Sequence, residues 1–177
     1  MDALISYTLP VKGLGVGIHG FDFEIDHLFF EHFESSPIQE ANIDLHLDFD
    51  KRIDMYVLDF FFSGTVGTEC DRCLAPIQLP VEGDEQLVVK FSHTPGDEEA
   101  DIVYVSPDIE QFNIAQYIYE YIVLSLPIIK VYDCEDDDPL PCDEEMLKRL
   151  EAEEEEKTDE TPNPIWDELR KLTDNDN

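Results

Sequence analysis

The sequence predicts an α+β protein. Its antiparallel β-sheet, open or closing toward a barrel, is built around a long central hairpin, packed by one buried helix and followed by short C-terminal helices. Three observations carry this. Ile43, Leu45, Leu47 and Phe49 alternate with Asp44, His46 and Asp48, the two-residue period of a strand with one wet face. The run from Ile53 to Glu69 also reads as strand and is separated from the first only by the polar turn Asp50-Lys51-Arg52. Farther on, Ile114, Ile118, Tyr121, Ile122 and Ser125 share one helical face, with Glu120 as the only charge in that segment.

The remaining elements follow in order. The first ten residues alternate enough for a strand. Gly13, Gly15, Gly17 and Gly20 read as turns or bulges; they do not match the dinucleotide fingerprint, and no Gly-Lys-Ser/Thr marks a phosphate loop. Between Ile25 and Phe33, the residues Leu28, Phe29, Phe30 and Phe33 suit a helical turn packed on the sheet. Ile53 to Phe62 is apolar on both faces toward its end, which places it centrally, and Gly64 and Gly67 let the strand bend. Ile77 to Val81 and Gln86 to Phe91 read as two strands joined by a Glu82-Gly83-Asp84 turn. An acidic loop, Ser92 to Asp101, leads to a short strand, Ile102 to Val105. Asn113 is placed to cap the helix and Pro127 to end it.

A chain of 177 residues can form one domain with a real core. With 43 acidic residues against 11 basic, the net charge is -32. Such a surface repels phosphate backbones, so direct nucleic-acid binding is disfavoured and basic proteins are the natural partners. Acidity that merely keeps the protein soluble is the plainer reading. Residues 1–10 lack a basic start and a long apolar run, and no uninterrupted apolar stretch is long enough to span a membrane. Four cysteines are too few for a disulfide scaffold at this size. A cytoplasmic protein with its thiols reduced or metal-bound is therefore expected, with no membrane partner.

The composition changes at Cys134. Residues 1–133 read as the α+β core domain and 134–177 as an acidic extension with 18 acidic and 5 basic residues. Met146, Leu147 and Leu150 can edge a helix, helped by Glu144–Lys148 and Glu145–Arg149 pairs. Glu153 to Thr161 is too acidic to bury and reads as linker or frayed helix. Pro162-Asn163-Pro164 then opens a short terminal helix along which Ile165, Trp166, Leu169 and Leu172 form one side. The single tryptophan is an anchor, either to its own domain or to a partner.

The stretch Cys70-Asp71-Arg72-Cys73-Leu74 holds two of the four cysteines at the end of the hairpin. Close thiols there can share a metal, cycle as a dithiol or pack as small hydrophobes. Cys70, Cys73, Cys134 and Cys142 number the four ligands of a tetrahedral zinc site, although seven residues separate the second pair. A redox dithiol normally precedes a helix, whereas strand flanks this one, and Glu69 and Asp71 oppose the effect of Arg72 on the thiols. In the structural alternative the thiols pack in the turn while Arg72 pairs with a carboxylate. No catalytic residue stands out: His27 and His32 flank Glu31 without zinc-protease spacing, and no nucleophile accompanies the five histidines.

With these pieces placed, the chain resembles the YceD family of large ribosomal RNA subunit accumulation proteins. The resemblance rests on four ordered matches that cover nearly the whole chain. These are Cys70-Asp71-Arg72-Cys73-Leu74-Ala75-Pro76 with its Cys-x-Arg-Cys signature, the acidic stretch before a strand from Asp97 to Val105, the helix close Ile122-Val123-Leu124-Ser125-Leu126-Pro127, and Pro162-Asn163-Pro164 followed by Leu169 and Leu172. It implies a role in accumulation and processing of large-subunit (23S) ribosomal RNA, with no enzyme activity. The implied partners are a basic ribosomal protein or a pre-ribosomal large-subunit particle. Many members carry a denser cysteine cluster after the Leu-Pro close, of which Cys134 and Cys142 are a remnant. No cofactor is expected apart from the zinc that these cysteines would hold. Direct binding of ribosomal RNA through Lys51, Arg52 and the aromatic hairpin, or a zinc-binding adaptor, is the alternative.

Overall fold

In the computed structural model, which describes residues 3–92, 102–132 and 142–158, the chain starts with a 3-10 turn, Ala3–Tyr7, rather than a strand. Strand β1 is only Thr8–Leu9, and it pairs antiparallel with β7, Phe112–Asn113, as a separate ribbon. The main sheet contains β2 (Gly17–Asp26), β3 (Glu40–Lys51), β4 (Met55–Glu69), β5 (Pro76–Phe91) and β6 (Ile102–Val105), in that spatial order. The first four are antiparallel neighbours, and β6 runs parallel to β5. The sheet is mixed and open, with β2 and β6 at its two edges, so the barrel-like variant does not hold.

Two further expectations need correction. Gly17 and Gly20 do not mark turns but lie inside β2, where Phe21, Phe23 and Ile25 point to the core side and Asp22, Glu24 and Asp26 are exposed. That alternation was as regular as the one in β3 but followed a glycine-rich start. Glu82-Gly83-Asp84 is likewise no turn. It continues a 16-residue strand that pairs with β4 from Glu69↔Pro76 to Met55↔Lys90. The long partner continues the antiparallel ladder through this stretch, which outweighs the local turn preference. Gly83 serves another purpose: a Cβ there would sit 2.3 Å from the Phe62 ring. At Gly64 a Cβ would lie 2.2 Å from the Asn42 carbonyl oxygen, so β3 and β4 approach too closely for any side chain.

One face of the sheet forms the core. Ile43, Leu45, Leu47, Phe49, Leu58, Phe60, Phe62, Leu87 and Val89 are buried there. Against them packs α2 (Ala115–Ser125), whose buried stripe is Ala115, Ile118 and Ile122. Each fully buried aliphatic of this kind contributes about 1.5–3 kcal/mol. The opposite side of α2 is wet, Leu124 being 77% exposed, so α2 covers the sheet with one apolar face. It shares that task with α1 (His27–Phe30), which buries Phe29 and Phe30. Asp26 caps α1 by accepting from the Leu28 and Phe29 N–H groups. Phe33 stacks on Tyr119 with centroids 4.0 Å apart and joins the two covers. Asn113 closes β7, and its Oδ1 accepts from the Ala115 N–H at 3.0 Å, ahead of the helix proper.

The last described element, α3 (Glu144–Thr158), runs through residues that the sequence assigned to a linker or frayed helix. Asp143 accepts from the Glu145 and Met146 N–H groups at its start. The Glu144–Lys148 and Glu145–Arg149 pairs form as spaced, and Met146 and Leu147 pack against the core. Among the described residues no helix is long and apolar enough to cross a membrane. Cys134, Ile165, Trp166, Leu169 and Leu172 lie outside the described residues.

Candidate functional site: the cysteine turn and the acidic sheet face

The four residues after β4 fold back on themselves because backbone pairs close the turn. Cys70 N–H donates to the Ala75 carbonyl, and Leu74 N–H donates to the Cys70 carbonyl, both at 2.9 Å. Both thiols are free and buried, at 1% exposure. Burial pushes the Cys70 thiol up, but backbone N–H groups of Cys73, Arg72 and Tyr132 and the Cys73 thiol bring it below its ordinary value. Leu74 has φ 59, a left-handed conformation unusual for a branched side chain, and is 62% exposed.

The ion pair of this turn is not the expected one. Arg72 is exposed and meets no carboxylate among the described residues. Instead Asp71 holds Lys130, which follows α2. Asp71 N–H donates to the Lys130 carbonyl at 2.7 Å, Lys130 N–H donates to Asp71 Oδ2 at 2.7 Å, and Lys130 Nζ lies 3.4 Å from Asp71 Oδ1. The Lys130 N–H and ammonium keep the Asp71 carboxyl below the usual range. The turn is thus a clasp between the end of the hairpin and the chain leaving α2.

For zinc, the clasp offers two thiols, half of a tetrahedral set. Cys142 is disulfide-bonded and offers no thiolate in that form, and no group of three or more metal-ligating side chains converges among the described residues. The residues described therefore do not complete the four-cysteine site.

Nor do they assemble a phosphate clamp. Lys51, Arg52, Lys12, Tyr56 and Phe91 line a hollow of about 650 Å³, the best local setting for a nucleic acid. Yet Lys51 donates to the Val11 and Leu14 carbonyls at 2.6 and 2.7 Å, Arg52 pairs with Asp50 at 2.7 Å, and Lys12 pairs with Glu110. These cations are consumed internally.

The outer face of the sheet is different. In register across β2, β3, β4 and β5 lie two adjacent rows, Asp22–His46–Phe61–Asp84 and Glu24–Asp44–Ser63–Glu82. They line a groove of about 1130 Å³. His46 bridges Asp22 at 2.6 Å and Asp48 at 3.3 Å, and the hydrogen bond to Asp22 is the main cause of its raised pKa. Gly20 leaves space for that ring. No cation pairs with Glu24, Asp44, Glu82 or Asp84 among the described residues. Sequence reasoning identified the wet face of β3 but not this surface, because the missed β2 and the split β5 hid its outer strands.

The clasp and the strands behind it lie inside the span that matches a known family. No curated protein and no solved structure matches the chain. Residues 58–173, from within β4 through the Cys-Asp-Arg-Cys turn and α2 onward, match the family model described as Large ribosomal RNA subunit accumulation protein YceD. As that span is well over half of the chain, the protein belongs to the YceD family.

Proposed function

We propose that this protein supports accumulation and processing of large-subunit ribosomal RNA without catalysing a reaction, by binding a basic ribosomal protein or assembly partner. The family description supports a role with the large subunit; the observation that supports the mode of action is the net charge of -32 together with an outer sheet face on which Glu24, Asp44, Glu82 and Asp84 pair with no cation among the described residues. Carboxylates of this density screen lysines and arginines that would otherwise hold RNA non-specifically. No described residues combine a general base with a free cationic clamp, as RNA cleavage would require. The test is affinity capture from lysate at low and raised salt. Retention of a basic ribosomal protein or a large-subunit precursor at low salt, lost as salt rises, is the expected result. Retention of neither overturns the reading.

A zinc-binding adaptor is the second reading, supported by the buried Cys70–Cys73 pair and the N–H groups that stabilise the Cys70 thiolate. It requires Cys142 in the reduced state and Cys134 as the fourth ligand. Metal content of protein purified under reducing conditions decides it. One zinc per chain supports the adaptor, and none removes it.

A further inference from the structure

The outer sheet face violates a rule that the rest of the fold obeys. Glu24 and Asp44 stand directly opposite each other on β2 and β3, both exposed. Like charges in that relation destabilise a strand pair. Ser63 and Glu82 extend the row on β4 and β5, and Asp84 lies two residues along from Glu82. At the centre, between His46 and Asp84 in register, Phe61 is 40% exposed on a face that does not belong to the core. Core packing accounts for none of this, and solubility is served better by carboxylates spread apart than by carboxylates set against each other.

The spacing indicates what would relieve the repulsion. Asp22 and Glu24 on β2, and Glu82 and Asp84 on β5, are each two residues apart on one strand. Carboxylates on one face of a strand therefore recur every ~6.8 Å, which is also the repeat of same-side side chains in any extended polypeptide. A point cation does not suit this arrangement, because no three ligating groups converge. A nucleic acid is excluded by sign. Phe61 adds a flat apolar surface among the acids, the setting in which a guanidinium gains from the aromatic face as well as from charge.

We propose that the outer face of β2–β5 is a docking groove for an extended polypeptide segment with arginines at alternating positions. Successive arginines pair with Glu82 and Asp84, which share that repeat on β5, one of them lies over Phe61 beside Asp84, and Glu24 and Asp44 add their charge from the far side of the groove. This deepens the functional reading above, on which it rests for the basic character of the partner, and it assigns the contact to the sheet rather than to the acidic extension.

Two variants of the full chain lose the same charge at different places. One carries Glu24→Gln, Asp44→Asn, Glu82→Gln and Asp84→Asn. The other carries Glu31→Gln, Glu34→Gln, Asp54→Asn and Asp108→Asn, exposed acids away from the groove. The probe is a fluorescein-labelled peptide alternating arginine and glycine, followed by anisotropy at fixed ionic strength. The groove variant is expected to bind at least about tenfold more weakly than the parent, and the control variant to stay within about twofold. Phe61→Ala is expected to weaken the arginine peptide more than its lysine counterpart. The melting temperature of the groove variant should also rise above that of the control, which shows it folded and relieved of repulsion. Equal weakening in both variants, or no binding by the parent, overturns the groove. Affinity capture separates the two claims. If the parent and the groove variant retain the same large-subunit partner equally, the groove is wrong and the functional reading stands. If the parent retains none while the peptide still discriminates between the variants, the groove stands and the functional reading fails.

Discussion

His46 shows how a single residue reports on its surroundings. It lies on the exposed face of β3 with carboxylates on either side, and the hydrogen bond to Asp22 raises its pKa from 6.5. A raised folded-state value means that the charged imidazolium stabilises the fold below the unfolded value. That contribution is lost as pH rises from 6.5 through the folded value. An NMR titration of the His46 ring should give a midpoint above 6.5, and Asp22→Asn should lower it. An unchanged midpoint in the variant would mean that Asp22 is not the cause. Gly64 gives a steric counterpart. A Cβ there meets backbone on the neighbouring strand at 2.2 and 2.6 Å, which cannot rotate away as a side chain can. Gly64→Ala should cost about 3 kcal/mol, the upper end of ordinary overpacking, measured by urea unfolding. Gly83→Ala, whose nearest contacts are all on the Phe62 ring, should cost less.

At the scale of elements, α2 separates the residues that hold the fold from those that do not. Ile118 is fully buried in the core and Leu124 is 77% exposed on the same helix. Ile118→Ala should destabilise by about 2–5 kcal/mol and Leu124→Ala by under about 0.5 kcal/mol, both read from chemical denaturation. The clasp below α2 has its own signature. Asp71 joins the cysteine turn to Lys130 through three contacts, and its carboxyl titrates below the usual range. Its stabilising contribution is present above the unfolded value of 3.8 and is lost as pH falls through the lower folded value. In Asp71→Asn the Lys130 amide should exchange hydrogen faster at neutral pH while the Ile118 amide stays protected. Unchanged exchange at Lys130 would show that the clasp does not hold this segment.

For the whole molecule the dominant fact is net charge. At -32, self-repulsion opposes the compact state, and added salt screens it. The melting temperature should climb as sodium chloride rises from about 0.01 to 0.5 M, over which the screening length falls from ~30 Å to a few ångströms. The same salt should weaken capture of a basic partner. Stability and binding thus move in opposite directions, a pairing that a neutral interface would not produce.

Much of this architecture was legible in the residues themselves. The alternation in Ile43 to Phe49, the long run to Glu69, the short strand Ile102–Val105 and the helix after Asn113 are local patterns, and local backbone and solvation preferences are enough to produce them. The acidity and the Cys-Asp-Arg-Cys stretch were equally plain. What only the tertiary structure decided was how far each strand extends and which residues meet. β4 keeps β5 extended through Glu82-Gly83-Asp84, because fifteen residues of partner supply hydrogen bonds that a local turn would forfeit. Asp71 took the place expected of Arg72 because Lys130 arrives beside it only after the chain has passed through α2. The acidic groove exists only when four strands lie in register and set Glu24, Asp44, Glu82 and Asp84 on one face. Sequence determines local periodicity and total charge, which each residue contributes independently of its distant neighbours. Pairing, register and surface pattern depend on contacts between residues far apart in the chain, and those are made only when the sheet closes its hydrogen bonds.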